Sequence, residues 1–378
     1  MSTNDNIPMN EVLSQMAAEL DISETDFNKA VGHYEAIGDW LGRDGSSIAV
    51  LKPNIYSHGS FRLGTIVRPI GDDPEYDIDL VCRLEVNSQN TKPAQLKRLV
   101  GDRLRENERY RDILVEKNRC WQIKYAGAFH LDILPATPDG QMGSDAILIP
   151  DKRLSCWKCS NPKGYAVWFM NRMRPQFESQ RKALAAARGV HIDQVPEFSV
   201  KTPLQKAIQL LKRHRDIRFG GHQWEEAKPI SMIITTLAAL AYLGEPDVHS
   251  ALTNIVDALA AYTPLLAHGQ VRERFAGERI LTRDAGGRWY IPNPINPAEN
   301  FADKWHEADN LGARAFFQWI QWIKADLTAL GMPNRTENEK VLQKAFGASV
   351  ANKVMESYNQ PAVPQFRISH PSKPWSPR

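Results

Sequence analysis

Asp77 and Asp79, in the stretch EYDIDLVC, flank a single isoleucine in an otherwise apolar run. On a strand alternate residues share a face, so both carboxylates project together with Cα atoms about 7 Å apart, and Ile78 points into the packing behind them. Like charges so placed repel unless a cation lies between them or one takes a proton. An all-oxygen donor set suits Mg²⁺ or Mn²⁺ rather than zinc. A third aspartate, Asp132, lies in FHLDILPA. There Phe129, Leu131 and Ile133 face one way, and His130 and Asp132 the other. If the two strands are neighbours, three carboxylates converge, which is the equipment of two-metal phosphoryl transfer. Gly59–Ser60 precedes the first pair by less than twenty residues. Glycine allows close backbone approach to a phosphate, and the amides and the Ser60 hydroxyl can donate to it. Either feature alone is commonplace, a turn or a solvated strand edge; their combination is specific.

The elements that must position these residues can be read from periodicity. Residues 9–42 recur apolar at helical spacing, with Ser23 and Asp26 marking a cap between two helices. Residues 54–70 hold a short extended segment and the Gly–Ser turn, and residues 76–86 alternate as a strand. A helix over 91–107 starts at Thr91 with Pro93 in its first turn. DILVEKN, CWQIKYA and FHLDILPA read as three further strands. Near residue 150 the character changes. Residues 163–188 are helical with a break at Pro175, and helices follow over 203–218, 229–243, 247–262 and 308–330. The Pro- and Asn-rich stretch 288–305 reads as an ordered loop, and the Pro-rich end from about 360 as a flexible or docking tail. The expected class is α+β, with residues 1–160 carrying an N-terminal helix and a mixed-sheet core, 161–345 a helical lobe, and 346–378 a C-terminal segment.

Composition narrows the function classes. The chain has 378 residues, 42% apolar and 24% charged, with a formal net charge of +3. That near-balance argues against a broad nucleic-acid-coating surface. Four scattered cysteines make no disulfide framework. No secretory leader is visible, and ISMIITTLAALAYL, residues 230–243, is too short to span a bilayer. A cytoplasmic protein without membrane attachment is expected.

HGSFRLGT, EYDIDLV and HLDILPA together resemble the nucleotidyltransferase superfamily that shares the polymerase-β core. SNPKGYAVWF, LQKAIQLLKRHRD, PISMIITTLAALAY and IPNPINPAENFADKW extend the resemblance over roughly residues 35–330. Within that superfamily they are similar to segments of the bacterial cyclic-oligonucleotide synthases, the CD-NTases, relatives of the animal DNA sensor cGAS and of oligoadenylate synthetase. The resemblance implies a two-lobed nucleotidyltransferase with its active site in the interlobe cleft. Asp77, Asp79 and Asp132 would ligate two Mg²⁺ (or Mn²⁺) ions, and Gly59 and Ser60 would hold a donor triphosphate. Lys212 would reach its β/γ-phosphates, and Ser231 would add a hydroxyl. Lys212 follows Ile208 by one turn at the edge of the Leu204–Ile208–Leu211 stripe, from which a lysine can extend into a cleft; a solvated lysine is the plain alternative. Arg213 and Arg215 are weaker candidates. Implied substrates are ATP and GTP or other NTPs, joined into a cyclic di- or trinucleotide for anti-phage signalling. A regulatory or modifying protein partner is compatible with this, and a stable nucleic-acid partner is not expected. Rival readings are a linear-oligonucleotide or RNA-end nucleotidyltransferase and an inactive nucleotide-binding module.

Other signals carry less. CWKC, residues 156–159, has no second ligand pair for zinc. His58, His130 and His214 each adjoin a candidate residue without forming a catalytic pattern. Asn293, Asn296 and Asn300 could read a base edge or serve as caps. Tyr165, Trp168, Trp289 and Tyr290 could stack a base or fill the core. Arg62, Thr65 and Arg68 are close enough in sequence to touch a nucleotide.

Overall fold

A computed structural model describes residues 8–71, 76–125, 129–153, 155–268, 280–331 and 334–359. Its helices are α1 (Met9–Leu20), α2 (Glu24–Gly42), α3 (Gly59–Arg62), α4 (Pro93–Arg105), α5 (Glu108–Arg111), α6 (Pro162–Arg188), α7 (Pro203–Phe219), α8 (Ser231–Ala241), α9 (Val248–Ala260), α10 (Leu265–His268), α11 (Glu307–Leu330), α12 (Arg335–Phe346) and α13 (Ala348–Asn359). Its strands are β1 (Asn54–His58), β2 (Tyr76–Arg83), β3 (Leu114–Glu116), β4 (Trp121–Tyr125), β5 (Phe129–Pro138), β6 (Ile147–Asp151), β7 (Cys156–Ser160), β8 (Thr282–Arg283), β9 (Trp289–Tyr290), β10 (Pro292–Asn293) and β11 (Asn296–Asn300).

The main sheet runs β1-β2-β5-β4-β3, with β6 on the far end of β5 and β7 beyond it. Only β2 and β5 pair in parallel in this sheet; their register sets Asp79 beside Asp132 and Asp77 beside His130. One sheet face packs Ile78, Leu80, Leu131, Ile133 and Ile123 against Ala30, Ile37 and Leu41 of α2 and Leu96, Val100 and Leu104 of α4. At Gly101 α4 approaches the sheet so closely that a Cβ would overlap the Trp121 indole. That indole also donates to the Lys97 carbonyl at 2.8 Å. The opposite face carries the carboxylates and turns toward the helical part, so the two-part α+β architecture holds.

The second core is helical, with α7 at its centre. Leu204, Ala207, Ile208, Leu210 and Leu211 are all fully buried. Thr202 caps α7, accepting from the Gln205 amide at 3.3 Å, and Pro203 presets its first turn. Ser23 likewise caps α2, accepting from the Asp26 amide at 3.0 Å, so 9–42 is two helices.

Several expectations need correction. Helix α6 is continuous through Pro175. Asn171 and Pro175 lie on its exposed side, where water can take the carbonyl that proline leaves unpaired. Helix α4 begins without a Thr91 side-chain cap; Lys92 is the capping position, and the fixed φ of Pro93 sets the start. The helix read over 229–243 is shortened to 231–241 at its ends. The expected loop 288–305 contains the β10–β11 hairpin, and β6 and β7 extend the sheet past residue 150. Helix α1, expected with the sheet, buries Val12, Leu13, Met16 and Leu20 in the helical core. Residues 348–359 are no separate segment either: Ala351, Val354 and Met355 join that core. Apolar residues on one helical stripe go to whichever core closes over them, whatever their place in the chain. The Pro-rich tail beyond 359 lies outside the described residues. Among these residues no helix is long and apolar enough to cross a membrane.

Gly101→Ala is expected to destabilise the protein by about 1–3 kcal/mol, the usual cost of overpacking, as read from denaturant unfolding; unchanged stability would contradict the close α4–β4 packing.

Candidate active site

Sheet register builds the site. Across one row of the sheet lie His58 on β1, Asp79 on β2, Asp132 on β5 and Gln122 on β4, each opposite the next. Two rows earlier, beyond Ile78, Leu131 and Ile123, lie Asp77, His130 and Lys124. Alternation puts both rows on the same face. Gln122 Nε2 donates to Asp132 Oδ1 at 2.9 Å and so orients that carboxylate. The Cys120 thiol also bonds Asp132; burial, then the Asp132 charge, pushes the thiol up to about 12, so it stays protonated.

Asp79 is the crowded member. Burial, then the charges of Asp132 and Asp77, raise its carboxyl to about 7, with Lys212 pulling the other way. His58 is held neutral, its imidazole pushed down to about 4 by burial. Gly59 has φ +62, a left-handed conformation, and a Cβ there would overlap the Asp79 carboxylate. The glycine is therefore required by the aspartate as well as by the turn. Ser60 follows in α3, and its carbonyl accepts from the Thr65 amide at 2.9 Å.

Lys212 does not extend into open cleft. Its Nζ donates to the Thr65 carbonyl at 2.9 Å and to Thr65 Oγ1 at 3.1 Å, because the loop after Ser60 lies over its helix turn. Burial, then Arg215, lowers its ammonium to about 7, opposed by Asp216 and Asp79. Its neighbours on α7 behave alike. Gln205 Nε2 donates to the Leu63 carbonyl at 2.9 Å, Gln209 Nε2 to that of Ile66 at 2.8 Å, and Arg213 to that of Arg68. Lys201, just before the helix, reaches the Gly64 carbonyl at 3.1 Å. One polar stripe of α7 thus fastens the backbone of residues 63–68. The signal was legible as Gln205, Gln209, Lys212 and Arg213 at helical spacing among buried apolar residues, yet only the apolar stripe announces itself in sequence.

Ser231 begins α8 and accepts from Arg215 at 3.2 Å, so its hydroxyl is tied to the helical part rather than standing alone. Arg215 also forks onto Asp216 at 2.8 and 3.0 Å. His214 lies elsewhere, between Asp326 and the Trp319 indole at 3.0 Å each, as a core residue. Tyr165 and Trp289 are buried, and Tyr290 is tied to Asp284 at the surface. Of the loop candidates, Thr65 serves Lys212, and Arg62 is the exposed last residue of α3. Cys156 and Cys159 fall on opposite faces of β7, and all four cysteines are free.

The oxygen-only donor set, and the charge crowding at Asp79, fit a divalent cation. As placed, no three metal-binding side chains among the described residues converge into a chelate.

Comparison with known proteins gives a consistent picture. Residues 7–172 match the Second Messenger Oligonucleotide or Dinucleotide Synthetase domain. A c-di-GMP synthase of Roseivirga ehrenbergii is 31% identical over 361 residues, spanning 94% of this chain and 89% of that protein. The cyclic dinucleotide synthase CdnG of Bradyrhizobium diazoefficiens is 23% identical, spanning 93% and 84%. In structure, CdnG in complex with GTP superposes with a TM-score of 0.71 over 94% of this chain and 100% of that one, at 23% identity. The E. coli CdnC:HORMA-deltaN complex superposes at 0.60 over 90% and 97%, at 16% identity.

Two variants test the geometry. Gly59→Ala places a Cβ against Asp79 in a conformation that costs alanine about 1–2 kcal/mol, and turnover is expected to fall about 100-fold. The paired change Asp77→Asn with Asp79→Asn should abolish turnover but raise the melting temperature in metal-free buffer at pH 8. The sign follows from Asp79: its folded value of about 7 lies above the unfolded 3.8. The folded state therefore binds the extra proton between those values, and stability is lost as pH rises toward 7. The gain should vanish near pH 4; a lower melting temperature at pH 8 would refute the repulsion.

Proposed function

The chain belongs to the bacterial CD-NTase family of cyclic-oligonucleotide synthases, and from that membership we propose a cyclic dinucleotide synthase that uses GTP. Family membership makes it a nucleotidyltransferase. The observation that carries the assignment of its centre is the parallel register that sets Asp79 beside Asp132, with Asp77 on the same face and Gly59 closed against Asp79. GTP as substrate is supported by the relatives described as a c-di-GMP synthase and as CdnG in complex with GTP; ATP or another NTP is the competing second substrate.

Asp77, Asp79 and Asp132 would hold two Mg²⁺ or Mn²⁺ ions, which supply charge stabilisation at the phosphates and activate the attacking hydroxyl. Gly59 and Ser60 hold the donor triphosphate through backbone amides and the serine hydroxyl. Lys212 supplies positive charge for the β/γ-phosphates from behind the 63–66 loop, and Ser231 marks the helical side of the cleft. Gln122 fixes the Asp132 carboxylate. The ribose hydroxyl of one nucleotide attacks the α-phosphorus of the next, and the bond to pyrophosphate breaks. A second displacement of the same kind closes the ring. The product would serve as a second messenger in anti-phage defence in the cytoplasm. Regulation by a partner protein is supported by analogy with CdnC, which is seen with HORMA-deltaN.

Purified protein incubated with labelled NTPs and Mg²⁺ is expected to give short, phosphatase-resistant products containing guanosine. Ladders of linear products, or a requirement for an RNA primer, would overturn the proposal.

A further inference from the structure

A cleft of about 850 Å³ opens between the β6–β7 edge of the sheet and the helical part, ample for a purine nucleoside. Ile149 of β6 lines it, and packs with Val81, Leu134 and Ala136 on the face that carries the carboxylates. Ile230 and Ile233, either side of Ser231, line the opposite wall. The cleft is therefore tied to the carboxylate-bearing sheet face through Ile149 and to the start of α8 through Ile230 and Ile233, while the three aspartates, Gly59, Ser60 and Lys212 do not line it.

On β11, Asn296, Glu299 and Asn300 are part of its polar lining, which also includes charged groups such as Lys158, Lys228 and Lys304. Their neighbours' hydrogen bonds separate the three asparagines of this region. Asn293 Nδ2 donates to Glu299 Oε2 at 2.8 Å, and its Oδ1 accepts from the Ile295 amide at 3.0 Å. Asn300 accepts from the Ile291 and Ala302 amides at 2.9 and 3.0 Å and donates to the Trp289 carbonyl at 2.7 Å. Both are occupied in building the hairpin. Asn296 is only 4% exposed, and its Oδ1 has no hydrogen-bond partner among the described residues. An unpaired buried carbonyl oxygen is costly, and at a cleft wall it points to a ligand donor. Glu299 is a second acceptor in the lining of the same cleft, held by Asn293 Nδ2.

The pairing edge of guanine offers a ring N–H and an exocyclic amine, all donors, next to one carbonyl. Adenine offers an amine next to a ring-nitrogen lone pair. An amide oxygen and a carboxylate match the first and oppose the second. We infer that Asn296 and Glu299 are the specificity-determining residues that select guanine over adenine, with Ile149 and Ile230 as the apolar walls of the base site. This rests on the nucleotidyltransferase reading of the neighbouring carboxylates.

The test reads binding apart from turnover, by calorimetry on the full chain with the β,γ-imido triphosphates of guanosine, inosine and adenosine. Wild type is expected to bind the guanosine analogue about tenfold more tightly than the inosine analogue, which lacks the exocyclic amine. Asn296→Leu should lower guanosine binding to the inosine level and leave adenosine binding unchanged. Asn296→Asp, which keeps an acceptor in place, should retain the preference, and Glu299→Gln should weaken guanosine binding about tenfold. An Asn296→Leu protein with the wild-type preference overturns the inference, as does a wild type that does not distinguish guanosine from inosine. Should Asn296→Leu not fold, an undiminished preference in Glu299→Gln overturns it equally. Selective guanosine binding without any product would contradict the synthase reading while supporting the base site; cyclic product formed without base preference would contradict only the base site.

Discussion

Three carboxylates on one sheet face repel one another, and much of the surrounding fold holds them there. Asp79 bears most of that tension, with burial on one side and Asp132 and Asp77 beside it. The parallel pairing of β2 and β5 in this register puts Asp79 and Asp132 side by side. The apolar side chains between the aspartates anchor both strands to α2 and α4. Burying Ile78, Leu80, Leu131 and Ile133 stabilises each strand by about 1.5–3 kcal/mol per side chain, which offsets the repulsion on the other face.

The second constraint is the loop that follows Ser60. It docks Leu63 into the helical core and Phe61 and Ile66 into the sheet core, and α7 also holds it through its carbonyls. Gln205, Gln209, Lys212 and Arg213 each donate to a different one. Such bonds are indifferent to the loop's side chains but sensitive to its path. They carry the helical core directly to the turn that closes on Asp79. Lys212 thereby does two things: it fixes Thr65, and it brings positive charge near the carboxylates. A lysine held at about 7 by burial is poised to gain charge when an anion approaches.

Much of this was legible in sequence because strand alternation is a local property. Asp77, Ile78 and Asp79 declare their faces without any tertiary information, and so do His130 and Asp132. Gly59 was legible as a turn, but its collision with Asp79 depends on an antiparallel pairing that no local pattern encodes. Lys212 was legible as a cation at the edge of a helix stripe; that a loop carbonyl would cover it was not. Pro175 misleads because a proline break is only an average, and an exposed carbonyl one turn earlier removes much of its cost. Helix α1 misled for a different reason. It has a clear apolar stripe, but the stripe does not say which of two cores will receive it. Among the three asparagines of the 288–305 region, only a full accounting of hydrogen bonds distinguishes Asn296 from its neighbours.

The most direct measurement is divalent-ion uptake by the full chain, titrated with Mn²⁺ in the presence of a non-hydrolysable GTP analogue, for wild type and for Asp132→Asn. If the three aspartates act as one cation site, wild type binds Mn²⁺ and Asp132→Asn binds it at least roughly 10- to 100-fold more weakly, with its melting temperature preserved. Equal Mn²⁺ affinity in a folded Asp132→Asn protein would contradict the shared site.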